Sequence, residues 1–306
     1  MYALETKGLT KIYGSKKVVN EIDLKVGQGS VFGFLGKNGA GKSTFINMLA
    51  GLIHPSSGSF TILGKQHHQN QKIGVLPDYS TFYDDLTALQ HLKYFSKLLN
   101  VKLTKSELLD LLQRVELEDA ANVKAKKFSF GMKKKLGIAQ ALLNKPDILF
   151  LDEPTSGVDA NAVLTIHRLI QDISKEGTTI FLTSHNLDEV EKLCDDIAIM
   201  NQGVITVRGS MQQLRDKHQN KLIVSLKHTQ VNATQMSSLR PQLEDLASAI
   251  EWGENLTTLT VDGEWLIPEI NRSFLHANVD VFRIVVDEPS LEEIFIKIGE
   301  NQRSAS

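Results

Sequence analysis

Three short apolar runs in the first two thirds of the chain have the length of strands. They lie at residues 30–36 (SVFGFLG), 147–154 (DILFLDEP) and 178–185 (TTIFLTSH). Because their apolar residues are continuous, the pattern predicts strands that are buried on both faces. Each run ends in a glycine or in polar residues, so candidate functional groups follow the strand ends.

Apolar residues at helical spacing occupy the segments between these strands. Residues 43–52 predict a helix that stops near Gly51, and residues 163–173 predict another. Strands separated by helices favour an α/β fold with a parallel sheet covered on both faces. A long helical stretch at residues 86–115 interrupts the alternation, and we expect it to form a subdomain.

The pattern changes near residue 210, after which shorter elements predict a small α+β domain at residues 210–306. The expected strands are 221–228, 256–262 and 279–286, and the expected helices are 267–278 and 290–301. The polar tail NQRSAS is expected to be frayed.

Composition and charge exclude some classes of protein. A chain of 306 residues with 42% apolar content can hold one large domain and a smaller one. Its 34 Lys and Arg against 36 Asp and Glu give no basic excess, so we expect no nucleic-acid partner. The single cysteine, Cys194, cannot form an internal disulfide, which suits a reducing cytosol, and we expect it to be buried.

Membrane insertion and export are not expected from the apolar pattern. No apolar run approaches the roughly 18 to 20 residues that span a bilayer, and the N-terminus MYALETKGLTKIYG has no signal-peptide core. We therefore expect a chain that is soluble by itself and that can still dock onto a membrane protein.

Residues 36–44 (GKNGAGKST) fit the phosphate-binding pattern G-x-x-x-x-G-K-[ST] between a predicted strand and a predicted helix. Gly39 and Gly41 let successive backbone N–H groups turn inward as an anion nest. The positive end of the following helix faces the same phosphates. Lys42 adds a full charge against the β- and γ-phosphates, and the Ser43 hydroxyl can bind Mg²⁺.

Carboxylates and a histidine at two strand ends predict the rest of a hydrolytic site. Asp152 ends an apolar strand, where its carboxylate can complete a metal site with Ser43. Glu153 follows and is the candidate general base that orients and deprotonates water. His185 ends the next strand, and we expect it either to donate to the γ-phosphate or to orient the water.

Residues 128–135 (FSFGMKKK) begin a predicted helix and allow two interpretations. Ser129 is suited to cap the helix and Gly131 permits close backbone approach, so the helix N-terminus can face an anion. The three lysines at 133–135 more simply indicate a solvated helix face for most of them.

Together these motifs resemble the nucleotide-binding ATPases of ABC transporters, over about residues 4–209. The resemblance implies a P-loop NTPase fold at residues 1–209, with a parallel core sheet, an antiparallel β lobe and a helical subdomain at about 78–143. It also implies ATP hydrolysis with Mg²⁺. In this family a signature helix binds the γ-phosphate held by a second subunit, so two chains enclose two ATPs head to tail.

The resemblance assigns roles to individual residues. Tyr13 matches the aromatic residue that stacks on adenine, and His185 matches the switch histidine. The ATP-binding loop would comprise Gly36, Lys37, Asn38, Gly39, Ala40, Gly41, Lys42, Ser43 and Thr44. The signature would be Ser129, Phe130, Gly131 and Met132, and the D-loop Ser156, Gly157, Val158 and Asp159.

Three positions depart from the family pattern. Phe130 and Met132 replace the second glycine and the glutamine of the common signature. Asp78 stands where the family usually has the Q-loop glutamine. A carboxylate there can approach Mg²⁺ through water, so Asp78 joins Ser43 and Asp152 as a candidate metal residue, but it adds negative charge near the phosphates.

The same resemblance narrows the biological role. The chain has one ATP-binding loop, unlike tandem translation-type members, and no sustained heptads, unlike DNA-repair members. We expect the energising subunit of an exporter, held at the inner face of the plasma membrane by a separate permease. Residues 210–306 would be regulatory or would support dimerisation. The alternative is a stand-alone soluble ABC ATPase that acts on another macromolecule.

The segment 78–86 (DYSTFYDDL) is the candidate lining for a helix of the permease. Tyr79, Phe82 and Tyr83 are aromatic residues among acids, which suits a docking rim. The alternative is that these rings pack inside their own domain.

Overall fold

The computed structural model describes residues 1–66, 72–218 and 222–287. The strands, in chain order, are β1 Tyr2–Tyr13, β2 Lys16–Gly27, β3 Val31–Leu35, β4 Ser57–Ile62, β5 Lys65–Gln66, β6 Ile73–Leu76, β7 Ile148–Asp152, β8 Thr179–Ser184, β9 Asp196–Asn201, β10 Val204–Ser210, β11 Leu222–His228, β12 Ala249–Trp252, β13 Leu256–Val261 and β14 Val281–Asp287. The helices are α1 Lys42–Leu49, α2 Ala88–Leu98, α3 Lys105–Arg114, α4 Phe130–Ala141, α5 Ala160–Lys175, α6 Leu187–Leu193, α7 Met211–His218, α8 Ala233–Glu244 and α9 Ile267–His276. Across these ranges no helix is both long and apolar enough to cross a bilayer.

The internal contacts divide the chain into two compact units, Met1–Met211 and Gln212–Ser306. The change of unit falls near the boundary that the sequence predicts after residue 209. Each unit has its own cluster of buried apolar side chains.

A six-stranded sheet forms the centre of the first unit, in the order β10-β9-β3-β8-β7-β6. All of its neighbouring pairs except β9 with β10 are parallel. The three predicted strands correspond to β3, β7 and β8, in which every residue is buried. The predicted α/β fold with a parallel core sheet is therefore confirmed. Parallel pairing also places the carboxyl ends of β3, β6, β7 and β8 at one edge of the sheet.

Aromatic rings hold the first helix of the unit against this sheet. Phe45 of α1 stacks on Phe34 of β3 with ring centroids 5.0 Å apart, and lies 6.0 Å from Phe181 of β8. Phe150 of β7 lies 5.7 Å from the same Phe181 ring. These rings are fully buried, and buried aromatic side chains contribute large apolar areas to a core. The rings of β3 and β8 thus hold α1 against the sheet, and the Phe150 ring of β7 extends the same cluster.

The predicted antiparallel β lobe is a second sheet of the first unit, in the order β2-β1-β4-β5. Its buried side chains, such as Leu4, Leu9 and Leu24, belong to the same apolar cluster as Phe34 and Phe150 of the central sheet. The lobe and the central sheet therefore share one core.

The helical segment between β6 and β7 differs from its prediction. The single stretch expected at residues 86–115 is two helices, α2 and α3, separated by a short loop. Asn100 in that loop has a left-handed φ of 54°. Thr104 then starts α3 with a capping box, in which its hydroxyl accepts from the backbone N–H of Glu107 and the Glu107 side chain binds back. The helical spacing of apolar residues continues across the loop, so it does not mark the break between α2 and α3. The Thr104 cap marks where α3 begins.

The described part of the second unit contains an antiparallel sheet, in the order β12-β13-β11-β14, together with α8, α9 and nearly all of α7. The strands expected at 221–228, 256–262 and 279–286 appear as β11, β13 and β14, and the helix expected at 267–278 as α9. The sequence analysis missed α8 and β12, although Asn232 and Gln235 form a capping box at the start of α8. The helix expected at 290–301 and the tail lie outside the described residues.

The division into two units predicts separate unfolding transitions. Phe181→Ala removes a buried ring from the first unit and Phe274→Ala from the second, each at a cost of about 3–5 kcal/mol. Both tryptophans, Trp252 and Trp265, lie in the second unit, so their fluorescence follows that unit alone. In urea we expect Phe181→Ala to lower the midpoint seen by circular dichroism but not the fluorescence midpoint, and Phe274→Ala to lower the fluorescence midpoint. Equal shifts of both signals in both variants would show a single cooperative unit.

Candidate functional site

The loop between β3 and α1 has the backbone geometry of a phosphate cradle. Gly39 and Gly41 adopt left-handed φ values of 81° and 112°. At Gly41 a Cβ atom would collide with the carbonyl oxygen of Val18 in the β lobe. Both the left-handed φ and this close approach therefore require glycine at this position. Helix α1 begins at Lys42, directly after Gly41, and its N-terminus completes the anion site.

Lys42 is held inside this loop. Its residue is only 5% exposed, and its ammonium donates a hydrogen bond of 2.7 Å to the Gly36 carbonyl. The same nitrogen lies 3.2 Å from Oε1 of Glu153, an oxygen that has no well-formed hydrogen bond of its own. Backbone N–H groups, a helix N-terminus and an ammonium form a donor set that fits a polyphosphate.

Glu153 and His185 meet at the ends of β7 and β8. Nδ1 of His185 lies 2.8 Å from Oε2 of Glu153, and because a carboxylate only accepts, Nδ1 is the donor. The carboxylate is thus placed between an imidazole and the Lys42 ammonium. The His185 side chain is half exposed, whereas Glu153 is buried. Glu153 also has a left-handed φ of 50°, which is uncommon for a residue other than glycine.

Asp152 is buried beside this pair. Its Oδ1 accepts a hydrogen bond of 2.5 Å from the Thr183 hydroxyl of the neighbouring strand. Ser43 is exposed at the start of α1. Among the described residues there is no group of three or more His, Cys, Asp or Glu that would bind a metal by itself. The oxygen donors of Ser43 and Asp152 fit Mg²⁺, which keeps waters and takes phosphate oxygens as further ligands.

One pocket brings several of the predicted residues together. It is lined by the ATP-binding loop from Lys37 to Thr44, by Val18, by Asp78 and by Glu153. Tyr13, at the end of β1, is half exposed and is not part of this described lining. The structure therefore unites the loop with Asp78 and Glu153, whereas the adenine-stacking role of Tyr13 stays a prediction.

The signature residues pack against the D-loop of the same chain. Ser129 caps α4, since its hydroxyl accepts from the Met132 backbone N–H at 3.2 Å. A Cβ atom on Gly131 would lie 3.0 Å from the Cβ of Ala162 and 3.3 Å from Val158, so the close approach it permits is to its own chain. Phe130 is exposed and its ring lies against Gly157.

The last D-loop residue, Asp159, caps α5 by accepting from the backbone N–H of Ala162 at 3.0 Å. The D-loop is therefore fixed at one end by a helix cap and along its length by the signature residues.

Comparisons with known proteins agree with this geometry. The family described as ABC transporter matches residues 19–156. The bacitracin transport ATP-binding protein BcrA of Bacillus licheniformis is 35% identical over 301 residues, 96% of each chain. The Nod factor export ATP-binding protein I of Rhizobium sp. (strain N33) is 32% identical over 304 residues, 97% of this chain and 96% of that one. The chain belongs to the ATP-binding proteins of ABC transporters.

Solved structures support the same assignment. An ATP-binding subunit of an ABC transporter, 28% identical, superposes with a TM-score of 0.63 over 70% of this chain and 92% of that chain. As an ABC transporter ATP-binding protein, the chain binds ATP and hydrolyses it. The P-loop NTPase fold and the ATPase activity that the sequence predicts are thus confirmed.

Thr183 is a site residue that the sequence analysis missed. Thr183 donates to Asp152 and accepts from the backbone N–H of Glu153 at 3.0 Å, so one hydroxyl orients both carboxylate residues. The sequence feature that could have identified Thr183 is its position as a polar residue near the end of an apolar strand.

Most of the three lysines at 133–135 were expected on a solvated face, and that prediction is wrong, because Lys134 and Lys135 are both covered. The Lys134 side chain is 3% exposed and donates to the carbonyl oxygens of Asp78 and Glu153. Burial lowers the pKa of the Lys134 ammonium, although the Asp78, Asp152 and Glu153 carboxylates oppose this. Lys135 is also mostly covered and pairs with Glu116. The missed signal was helical spacing, which puts Lys134 on the same face as Gly131 and Ile138 of α4.

A buried carboxylate, Glu189, ties the loops beside His185 together. It accepts hydrogen bonds from Ser184 at 2.7 Å and from Thr155, and contacts Nε2 of His167 at 3.1 Å. Burial raises the pKa of Glu189, but the hydrogen bonds from His167, Thr155 and Ser184 outweigh it, so the pKa is lowered overall. Glu189 therefore stays charged and fixes the strand end that carries His185.

Cys194 is buried as expected. It directly follows α6, and burial raises the pKa of its thiol well above the ordinary value, with Glu189 and Asp195 acting in the same direction. The thiol is thus kept protonated and serves packing.

Removing the charge of Glu153 is expected to stop chemistry but not binding. Glu153→Gln keeps the size of the side chain and an acceptor for His185, and loses the proton acceptor for water. We expect ATP turnover to fall about 10²- to 10⁴-fold with nucleotide binding retained. Single-turnover hydrolysis and equilibrium ATP binding measure the two effects. Glu118→Gln, an exposed carboxylate in the helical segment, is the control and should match the native rate. Near-native turnover by Glu153→Gln would remove Glu153 as the base.

Proposed function

We propose that this chain is the energising subunit of an exporter whose membrane-spanning part is a separate protein. The observation that carries the proposal is the full-length similarity to ATP-binding proteins named for bacitracin transport and Nod factor export, which extends over the second unit. In this proposal the chain lies at the inner face of the plasma membrane through its permease. The unit after residue 211 regulates the cassette or supports dimerisation.

We propose that ATP is hydrolysed with Mg²⁺ at the pocket beside the ATP-binding loop. Ser43 and Asp152 would hold the ion, with Asp78 reaching it through water. The ion would neutralise phosphate charge there. Lys42 binds the β- and γ-phosphates, and Glu153 takes a proton from the attacking water. His185 holds the Glu153 carboxylate and would orient the same water.

We propose further that two copies form each complete site, head to tail. The described lining of the ATP-binding pocket contains none of the signature residues, and Ser129 at the α4 N-terminus is exposed. A capped helix N-terminus on the surface is suited to an anion carried by another molecule. That anion is the γ-phosphate of the ATP bound by the second copy.

Mixing two defective chains tests this arrangement. Ser129→Asp keeps a good helix cap but places a carboxylate where the opposing γ-phosphate would bind, so we expect the pure variant to lose ATPase activity. Lys42→Ala is expected to lose nucleotide affinity. A mixed dimer contains one site with both halves intact, so we expect the mixture to regain activity that neither variant has alone. Steady-state ATPase assays over a range of mixing ratios measure this, with Ser129→Thr as the active control. Full activity of Ser129→Asp alone would show that α4 does not face phosphate.

The segment after β6 carries the candidate docking surface for the permease. Tyr79 is 84% exposed and Tyr83 is 51% exposed. Two rings of this segment also contact α2: Tyr83 meets Tyr94 edge-on at 5.2 Å, and Phe82 lies 5.1 Å from His91. The cluster thus packs against α2 and still presents aromatic surface to solvent, which suits a docking rim.

Truncating this rim is expected to weaken docking without harming the ATP site. We expect Tyr83→Ala to retain ATP binding but to recover less of a multi-span membrane protein when the chain is purified in mild detergent. Tyr2→Ala is the matched control, because Tyr2 is a similarly exposed tyrosine (46%) in the β lobe. Recovery of the native chain only as a homodimer, with no membrane protein, would favour the stand-alone ATPase.

A further inference from the structure

Lys134 joins three segments that surround the ATP site. Its ammonium donates hydrogen bonds of 2.8 Å to the carbonyl oxygens of both Asp78 and Glu153. The Asp78 carboxylate lies 3.7 Å from the same nitrogen. Lys134 belongs to α4, Asp78 follows β6 and Glu153 follows β7. We call these three residues the Lys134 junction.

The junction has the partners that a buried ammonium needs. An unpaired charge in such a place is strongly unfavourable, so a buried lysine needs hydrogen-bond acceptors and an opposite charge. Here two carbonyls accept, and the carboxylates of Asp78, Asp152 and Glu153 supply negative charge around it. The buried Lys134 ammonium thereby offsets the charge of Asp78.

The junction also fixes the backbone of the proposed general base. Glu153 has a left-handed φ of 50°, a conformation that its surroundings must maintain. Its backbone N–H is held by the Thr183 hydroxyl at 3.0 Å, and its carbonyl by Lys134 at 2.8 Å. Thr183 belongs to the central sheet, whereas Lys134 belongs to the helical segment. One of the two anchors of Glu153 therefore comes from the part of the cassette proposed to face the permease.

We propose that Lys134 is a positioning residue for ATP hydrolysis, which holds the Glu153 backbone from the helical segment and offsets the charge of Asp78 beside the phosphates. The proposal rests on the role of Glu153 as the base. It explains how a carboxylate works at position 78: with Lys134 beneath it, Asp78 is half of an ion pair, and without Lys134 it repels the phosphates. It also provides a direct link, since a displacement of α4 relative to β7 moves the carbonyl of Glu153.

A double-mutant cycle at positions 78 and 134 separates this role from ordinary packing. The proteins are native, Asp78→Gln, Lys134→Gln and the double variant, and the readouts are kcat, KM for ATP and the urea midpoint. We expect Lys134→Gln to lower kcat by about 10- to 100-fold, the effect of losing one charge-assisted hydrogen bond, with a smaller change in KM. The double variant should recover the part of the loss that comes from the uncompensated Asp78 carboxylate, because it also removes that charge.

Lys133→Gln is the matched control, since Lys133 is the neighbouring lysine of α4 but does not belong to the Lys134 junction. It should match the native protein in kcat and urea midpoint. A purely structural Lys134 would lower the urea midpoint but leave the kcat of the folded protein unchanged, and that result overturns the proposal. So does a double variant whose loss is the product of the two single losses.

Two further variants keep the outcome decisive. Should Lys134→Gln fail to fold, Lys134→Arg is measured by itself against the native protein. Arginine keeps the charge, but its planar guanidinium cannot hold both carbonyls in the same geometry, so kcat should still fall, and an unchanged kcat rejects the proposal. Glu153→Gln, measured alongside, distinguishes the two hypotheses. High ATPase activity of Glu153→Gln rejects the role of Glu153 as the base. An inactive Glu153→Gln, together with independent effects of the Asp78 and Lys134 substitutions on kcat, rejects only the positioning role of Lys134.

Discussion

The parallel register of the central strands is the constraint on which the rest of the structure depends. Parallel pairing brings the ends of β3, β6, β7 and β8 to one edge, so residues far apart in sequence become neighbours. The pairing of Asp152 with Thr183 across β7 and β8 is a direct result. The Phe181 ring packs against the rings of α1, β3 and β7, so these elements share one aromatic cluster. The ATP-binding loop and the two carboxylate residues therefore need no flexible element to meet.

Two buried lysines balance the negative charge that the reaction requires. Lys42 pairs with the carboxylate of Glu153, and Lys134 donates to its backbone carbonyl. Each ammonium also binds a backbone carbonyl, of Gly36 and of Asp78 respectively, so neither is left as an unpaired buried charge. Glu153 is thus fixed at both its side chain and its backbone. Its left-handed backbone is held by Thr183 of β8 and by Lys134 of α4.

The helical segment combines surface and buried roles. Its outer side presents Tyr79 and Tyr83 to solvent, and its α4 begins at an exposed serine cap. The inner side of α4 carries Lys134 into the catalytic centre. In the proposed arrangement, α4 connects a terminus that faces the partner's phosphate with the backbone of the proposed base. Under that proposal, a displacement of α4 would reach the proposed base through the hydrogen bond from Lys134 to the Glu153 carbonyl.

The sequence by itself determined the ATP-binding loop, the buried strands and the roles proposed for Lys42, Asp152 and Glu153, because local patterns encode them: continuous apolar runs, glycine spacing and polar strand ends. Only the tertiary structure decided which polar residues of other elements reach the site. Lys134 was predicted to be solvated because lysines in a charge run are usually exposed. The sequence does not show which face of α4 the rest of the fold covers. Thr183 and Glu189 likewise acquired their roles from neighbours that are distant in sequence. The break between α2 and α3 was decided by a helix cap, which competes with continuous apolar spacing.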